Sequence, residues 1–113
     1  MAGKFEVKST KNGQFMFNLK ASNGEIILTS EMYKTKKGLK NGIKSVKTNA
    51  KVAAHFKTMA SKKGEPYFVL RAGNNQVIGK SEMYSSDKAL ANGIESVRKN
   101  APDAPIDDQT KKS

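Results

Sequence analysis

Two hydrophobic rhythms follow one another along this chain. Phe5 and Val7 alternate with Lys4, Glu6 and Lys8, and after Asn12-Gly13 the residues Phe15, Phe17, Leu19 and Ala21 alternate with Met16, Asn18 and Lys20. A period of two gives a segment one apolar and one polar face, so both stretches are predicted strands. A third strand is predicted near Glu25 to Thr29. Asn12-Gly13 and Asn23-Gly24 would supply tight hairpin turns, with positive φ expected at both central residues. The rhythm then becomes helical. Leu39, Ile43, Val46 and Ala50 share one face, Thr35 offers a hydroxyl to the open first turn, and Asn49 is placed to cap the end.

The same pattern returns 51 residues later. Ser30-Glu31-Met32-Tyr33 recurs as Ser81-Glu82-Met83-Tyr84, and Asn41-Gly42-Ile43 with Ser45-Val46 recurs as Asn92-Gly93-Ile94 with Ser96-Val97. Phe5, Gly13, Phe17 and Leu19 match Phe56, Gly64, Phe68 and Leu70. The second helix is predicted from Ser85 or Ser86, with Leu90, Ile94, Val97 and Ala101 inward, Asn100 as its end and Pro102 as its stop. Lys63-Gly64 and Asn74-Asn75 stand at the second pair of turns, and Pro66 opens a strand where a missing N–H does least harm. Gly42 and Gly93 inside the helices each cost about 1 kcal/mol relative to Ala, which points to a close approach of helix backbone to sheet.

One three-stranded meander buries too little to stand alone, and two can merge. The expected fold class is therefore α+β: two tandem β-β-β-α repeats, residues 3–50 and 54–101, forming one antiparallel sheet of about six strands with two helices on one face. Residues 1–101 would form a single domain, and 102–113, with two Pro and three Asp, would be a disordered tail.

The doubled Ser-Glu-Met-Tyr, each copy followed by Asn-Gly-Ile-x-Ser-Val-x-x-Asn-Ala, together with Asn-Gly-Glu-Ile-Ile-Leu-Thr-Ser at 23–30, resembles the YegP-like family of small bacterial proteins over residues 3–101. The resemblance implies the repeated three-strand-plus-helix fold in a shared sheet. It implies no reaction, because the family's biochemical role is not established, and it brings no catalytic residues. Single-repeat members pair two chains, so a two-repeat chain is expected to be a monomer.

The side chains themselves narrow the chemistry. The absence of Cys excludes disulfides, zinc–thiolate sites and Cys nucleophiles, and a single His excludes multi-histidine metal sites. His55 replaces Lys4 at the outward phase of a predicted first strand and reads as an ordinary surface residue. Glu31 and Glu82 occupy equivalent places, so their environments would be alike, whereas general acid–base work needs carboxylates with separated pKa values. Each Glu, with Tyr33 or Tyr84, is expected instead to set the strand-to-helix corner through hydrogen bonds. Gly38 and Gly42 lie within a helix, not in a phosphate-cradling loop. No enzyme activity, cofactor or metal is expected. No stretch has the apolar length of a membrane span or a signal peptide, so no membrane association and a cytoplasmic location are expected.

Charge adds the one functional lead. The 113 residues hold 21 Lys+Arg against 10 Asp+Glu, a formal +11. The first 50 residues carry +7, residues 51–101 carry +5, and the last twelve carry −1. Lys36, Lys40, Lys44 and Lys47 form a stripe beside the apolar face of the first helix, with Lys37 at its edge. Asp87, Ala91, Glu95 and Arg98 stand at those places in the second, so the fold does not need the stripe. Such a stripe suits weak, sequence-independent binding to nucleic-acid phosphates, or else simply a solvated helix face. With no Trp and only two Arg, base-specific readout is not expected. The alternative is a protein-interaction surface on the open sheet face, built from Met16, Tyr67, Val69 and Arg71.

Overall fold

A computed structural model describes residues 3–110. The first repeat gives β1 (Lys4–Ser9), β2 (Phe15–Lys20), β3 (Ile26–Ser30) and α1 (Lys36–Asn49). The second gives β4 (Phe56–Ala60), β5 (Pro66–Arg71), β6 (Val77–Lys80) and α2 (Asp87–Asn100), and a further strand, β7 (Ile106–Asp108), follows. The sheet order is β4-β5-β6-β3-β2-β1-β7. The fold is α+β, as the hydrophobic pattern predicts. The sheet has seven strands, however, not six, and it is mixed: β7 runs parallel to β1, pairing Ile106, Asp107 and Asp108 with Phe5, Glu6 and Val7.

The expected disordered tail is therefore corrected for residues 102–110, while 111–113 lie outside the described residues. A short 3-10 turn at Ala101–Asp103 redirects the chain. Phe5 N–H then donates to Pro105 C=O at 2.8 Å and Gln109 N–H to Val7 C=O at 2.9 Å, while Lys4 and Lys36 reach Asp107 and Asp108. An exposed strand edge and two lysines supply what the segment lacks in hydrophobicity. His55 is likewise not on a strand, because a 3-10 turn at Ala53–His55 precedes β4.

The turns follow one design with one positive φ each, not two: Gly13, Gly24, Gly64 and Asn75. In each hairpin two backbone bonds close the loop, as Gly24 N–H to Ala21 C=O and Ala21 N–H to Glu25 C=O do at 2.9 Å. That is a type I turn ended by a left-handed residue, which requires a single Gly or Asn.

Thr35 and Ser86 cap the helices, accepting from Gly38 N–H and Ala89 N–H. Asn49 and Asn100 act differently from left-handed caps: each side chain donates back to a serine carbonyl one turn earlier, Ser45 and Ser96, at 2.8 Å. Asn100 Oδ1 also accepts from the buried Gly3 N–H at 2.8 Å, tying the residue just before β1 to the end of α2.

One core joins both repeats. Phe5, Phe17, Leu19, Leu28, Phe68 and Leu70 of the sheet meet Leu39, Ile43 and Val46 of α1 and Leu90 and Val97 of α2. Gly42 and Gly93 are buried for packing reasons, but the partner is a ring and not the sheet: a Cβ on Gly42 would lie 2.6 Å from Tyr33 Cζ, and Gly93 faces Tyr84 in the same way.

Candidate functional site

The predicted lysine stripe forms, and the structure divides it. Lys40 and Lys44 are exposed, as is Lys37 at the edge. Lys36 Nζ lies 3.2 Å from Asp108 and 5.9 Å from the Phe15 ring centre, and Lys47 Nζ lies 5.8 Å from the Phe5 ring centre. The end members thus lay their stems along the flank of the core, leaving the middle of α1 as the free cationic surface. No acidic residue occurs on α1. On α2, Arg98 instead pairs with Glu95 at 3.6 Å.

The outer face of the sheet does not assemble as expected. Tyr67, Val69 and Arg71 share β5, but Met16 lies on β2, with β6 and β3 between. Three strand spacings put it about 14 Å away. Val69 is only 8% exposed. Tyr67 instead meets Met59 across the β4 ladder and has Lys80 Nζ 5.0 Å above its ring.

The two halves of this face differ in charge. In the first, Glu6 is a buried hub: Lys20 lies at 3.0 Å, Lys8 at 3.4 Å and Lys4 at 3.9 Å, and Gln109 donates to it at 3.0 Å. Burial opposes its charge, but Lys20 and Lys8 outweigh that and hold the carboxyl below its ordinary value. Behind it, on the α1 side of the sheet, hydrogen bonds from the Thr110 side chain and backbone, with Lys36, outweigh burial and lower Asp108 to about 2. In the second half Lys57 stands in place of Glu6 and Arg71 in place of Lys20, and neither they nor Lys80 joins an ion pair among the described residues.

The strand-to-helix corners are held by serine hydroxyls, not by Glu and Tyr side chains. Ser30 Oγ accepts from Phe17 N–H at 2.8 Å and donates to Glu31 C=O, and Ser81 repeats this with Phe68 and Glu82. Tyr33 contributes its backbone, exchanging two 2.7 Å bonds with Phe15, and its ring stacks on Phe17 at 6.3 Å.

This leaves Glu31/Glu82, Met32/Met83 and Asn41/Asn92 identical in both repeats yet exposed. In the second repeat Glu82, Met83, Tyr84, Asn92 and Ser96 line a cavity of about 550 Å³ against Glu25 and Ile26 of the first. Burial, then the charges of Glu25 and Glu82, push the Tyr84 hydroxyl above its ordinary range. Sequence reasoning passed over this cleft; the signal for it was repeat identity at positions the core does not need. His55 borders a small cavity of about 170 Å³ whose other lining residues, Ala54, Arg71, Ala72, Gly73 and Asn75, carry no hydroxyl. No cluster of metal-ligating side chains occurs among the described residues, and no helix there is long and apolar enough to cross a membrane.

The family model described as a domain of unknown function, DUF1508, matches residues 10–56 and again 61–108. The chain belongs to the DUF1508 family. Each DUF1508 match runs from the second strand of a repeat through its helix into the strand that follows, so β7 is the proper end of the second unit. Relatives include the UPF0339 protein YegP of Yersinia pestis, 55% identical over 108 residues and 96% of both chains. A UPF0339 protein of Shewanella oneidensis is 49% identical over 97% of this chain and 100% of its own. The solution structure of UPF0339 protein SO3888 from Shewanella oneidensis is 49% identical with a TM-score of 0.89, covering 96% of this chain and 92% of that one. The solution structure of yegP from E. coli, titled a protein of unknown function, is 40% identical with a TM-score of 0.91, covering 96% and 94%. The DUF1508 description names no reaction.

Proposed function

We propose that the protein is a monomeric, cytoplasmic, non-catalytic binding protein that attaches weakly to nucleic acid through the solvent face of α1. The observation that carries this is the contrast between sister helices: α1 holds five lysines and no acid, while α2 mixes both signs and pairs Arg98 internally. Lys37, Lys40 and Lys44 are the contact residues. Lys36 and Lys47 serve the fold first, being held by Asp108 and Phe5. Binding through three lysines reads phosphate and not bases, and its log–log salt slope on duplex DNA should be about −3.

Fluorescence anisotropy with labelled duplex DNA at low and high salt tests this. Lys37→Glu, Lys40→Glu and Lys44→Glu together should abolish binding, while Lys99→Glu on α2 should change it less than about threefold. Binding that is absent at low salt, or indifferent to the triple change, overturns the reading. The alternative, a protein-interaction surface on the outer sheet, is favoured by Lys80 over the Tyr67 ring and by Lys57 and Arg71 on the neighbouring positions of β4 and β5, none of which joins an ion pair among the described residues.

A further inference from the structure

Among the described residues the sheet has two outer edges, and only one is covered. β7 closes the β1 edge, whereas at the other edge Lys57 to Ala60 of β4 are all exposed. The repeat makes the two edges counterparts. Phe56, Lys57 and Thr58 stand where Phe5, Glu6 and Val7 stand, His55 replaces Lys4, and Asp87 replaces Lys36. Val7 is 2% exposed beneath β7, and its counterpart Thr58 lies open.

We propose that the β4 edge binds an extended peptide strand in parallel, in the register β7 takes on β1, with an acidic residue beside Lys57 and a basic residue beside Thr58. The β1 edge shows the mode: the incoming strand satisfies Phe5 N–H and Val7 C=O, and its two Asp side chains reach opposite faces of the sheet. At β4 the Phe56 N–H is already closed by Ala53 C=O, so Thr58 carries the backbone anchor.

Side-chain specificity follows from the exchanged charges. On the outer face, Asp107 beside Glu6 is held by Lys4 at 3.1 Å. At β4 the residue in register is Lys57, and His55 and Arg71 stand at the repeat positions of Lys4 and Lys20, so an acid is accepted there more readily than at β1. On the inner side a groove of about 560 Å³ runs between β4 and the first turn of α2, lined by Thr58, Ala60, Pro66, Asp87 and Leu90. Asp108 spans the equivalent space to Lys36. With the helix charge reversed at Asp87, the complementary residue is a lysine on the peptide. A second copy of this chain is the poorer occupant, since it would bring two lysine-bearing edges of +11 chains together.

The probe is the peptide Asp-Ala-Pro-Ile-Asp-Lys-Gln-Thr, which is residues 103–110 with Asp108→Lys, titrated into the full chain to about 1 mM with amide chemical shifts as readout. Saturating shifts at residues 56–60 and 87–90 are expected, with α1 unmoved. The peptide with Asp and Lys exchanged should bind at least about tenfold more weakly, and Lys57→Glu combined with Asp87→Lys should reverse that order. Thr58→Pro, which removes one edge N–H, should abolish binding. Should that variant not fold, Lys57→Glu combined with Asp87→Lys decides. The proposal is overturned if residues 56–60 do not shift, if the exchanged peptide binds equally, or if sedimentation shows a dimer that Lys57→Glu strengthens and the peptide dissolves. Because duplex DNA contacts α1, peptide binding should survive Lys37→Glu, Lys40→Glu and Lys44→Glu, so the two readings fail separately.

Discussion

A glycine inside a helix asks what the missing Cβ makes room for, and here the answer is a tyrosine pinned on three sides. The Tyr33 backbone is bonded twice to Phe15, its ring lies parallel to Phe17, and its hydroxyl end meets the α1 backbone at Gly42. Because Tyr84 repeats this with Pro66, Phe68 and Gly93, the Tyr and the Gly form one device present twice. Pro66 has no N–H to return, so the second copy keeps only the bond from Tyr84 N–H, at 2.8 Å. On an exposed helix Gly→Ala gains about 1 kcal/mol. At Gly42 the new methyl must displace a ring whose stack and backbone hold it, and overpacking of this kind costs about 1–3 kcal/mol. Gly42→Ala should therefore destabilise the protein, read as a lower urea midpoint at unchanged m-value. A raised midpoint would mean that the ring swings aside freely.

At the scale of elements, β7 is the case where charge makes a strand. Only three residues long and bearing two Asp, it is held by Lys4 and Lys36 and by the β1 backbone. Its acid response follows from the depressed carboxyls. The Asp108 pKa falls from 3.8 to about 2 on folding, so its contribution is complete above about pH 4 and is lost as pH falls towards 2. Asp107 and Glu6 shift in the same direction. Thermal midpoints measured from pH 5 to pH 2 should fall less steeply for Asp108→Asn than for the parent, and parallel curves would refute the assignment. The same element shows why part of the fold was legible and part was not. Phe15-Met16-Phe17-Asn18-Leu19 announces a strand because its own pattern divides buried from exposed faces. Ile106-Asp107-Asp108 has no such pattern, since what makes it a strand is an edge about a hundred residues earlier in the chain. The lysine stripe was legible as a helical angle, but the pairing of Lys36 with Asp108 depends on that same late strand. The separation of Met16 from Tyr67 follows from strand order, which no local spacing encodes.

Across the whole molecule the two repeats are not two domains, because each helix covers strands of the other half. α1 packs on β2 and also on β5 and β6, while α2 packs on β5 and on β3. The sheet itself is joined at the centre by only two residue pairs, Thr29 with Lys80 and Ser30 with Gly79. At that seam the repeat symmetry is broken in volume. Leu28 and Gly79 are counterparts, and a Cβ on Gly79 would lie 2.6 Å from Leu28 Cδ2. Two leucines cannot occupy the axis, so one half supplies the large side chain and the other the empty space. Gly79→Leu should cost about 1–3 kcal/mol by overpacking, and Leu28→Gly about 3–6 kcal/mol through the cavity and the added chain freedom. Exchanging the two should cost less than the sum, with a coupling of about 1–3 kcal/mol in a double-mutant cycle followed by urea unfolding. Strict additivity would show that the space at Gly79 is not the space Leu28 fills. A positive coupling would mean that the duplicated sequence folds as one cooperative unit because its halves were made unlike where they touch.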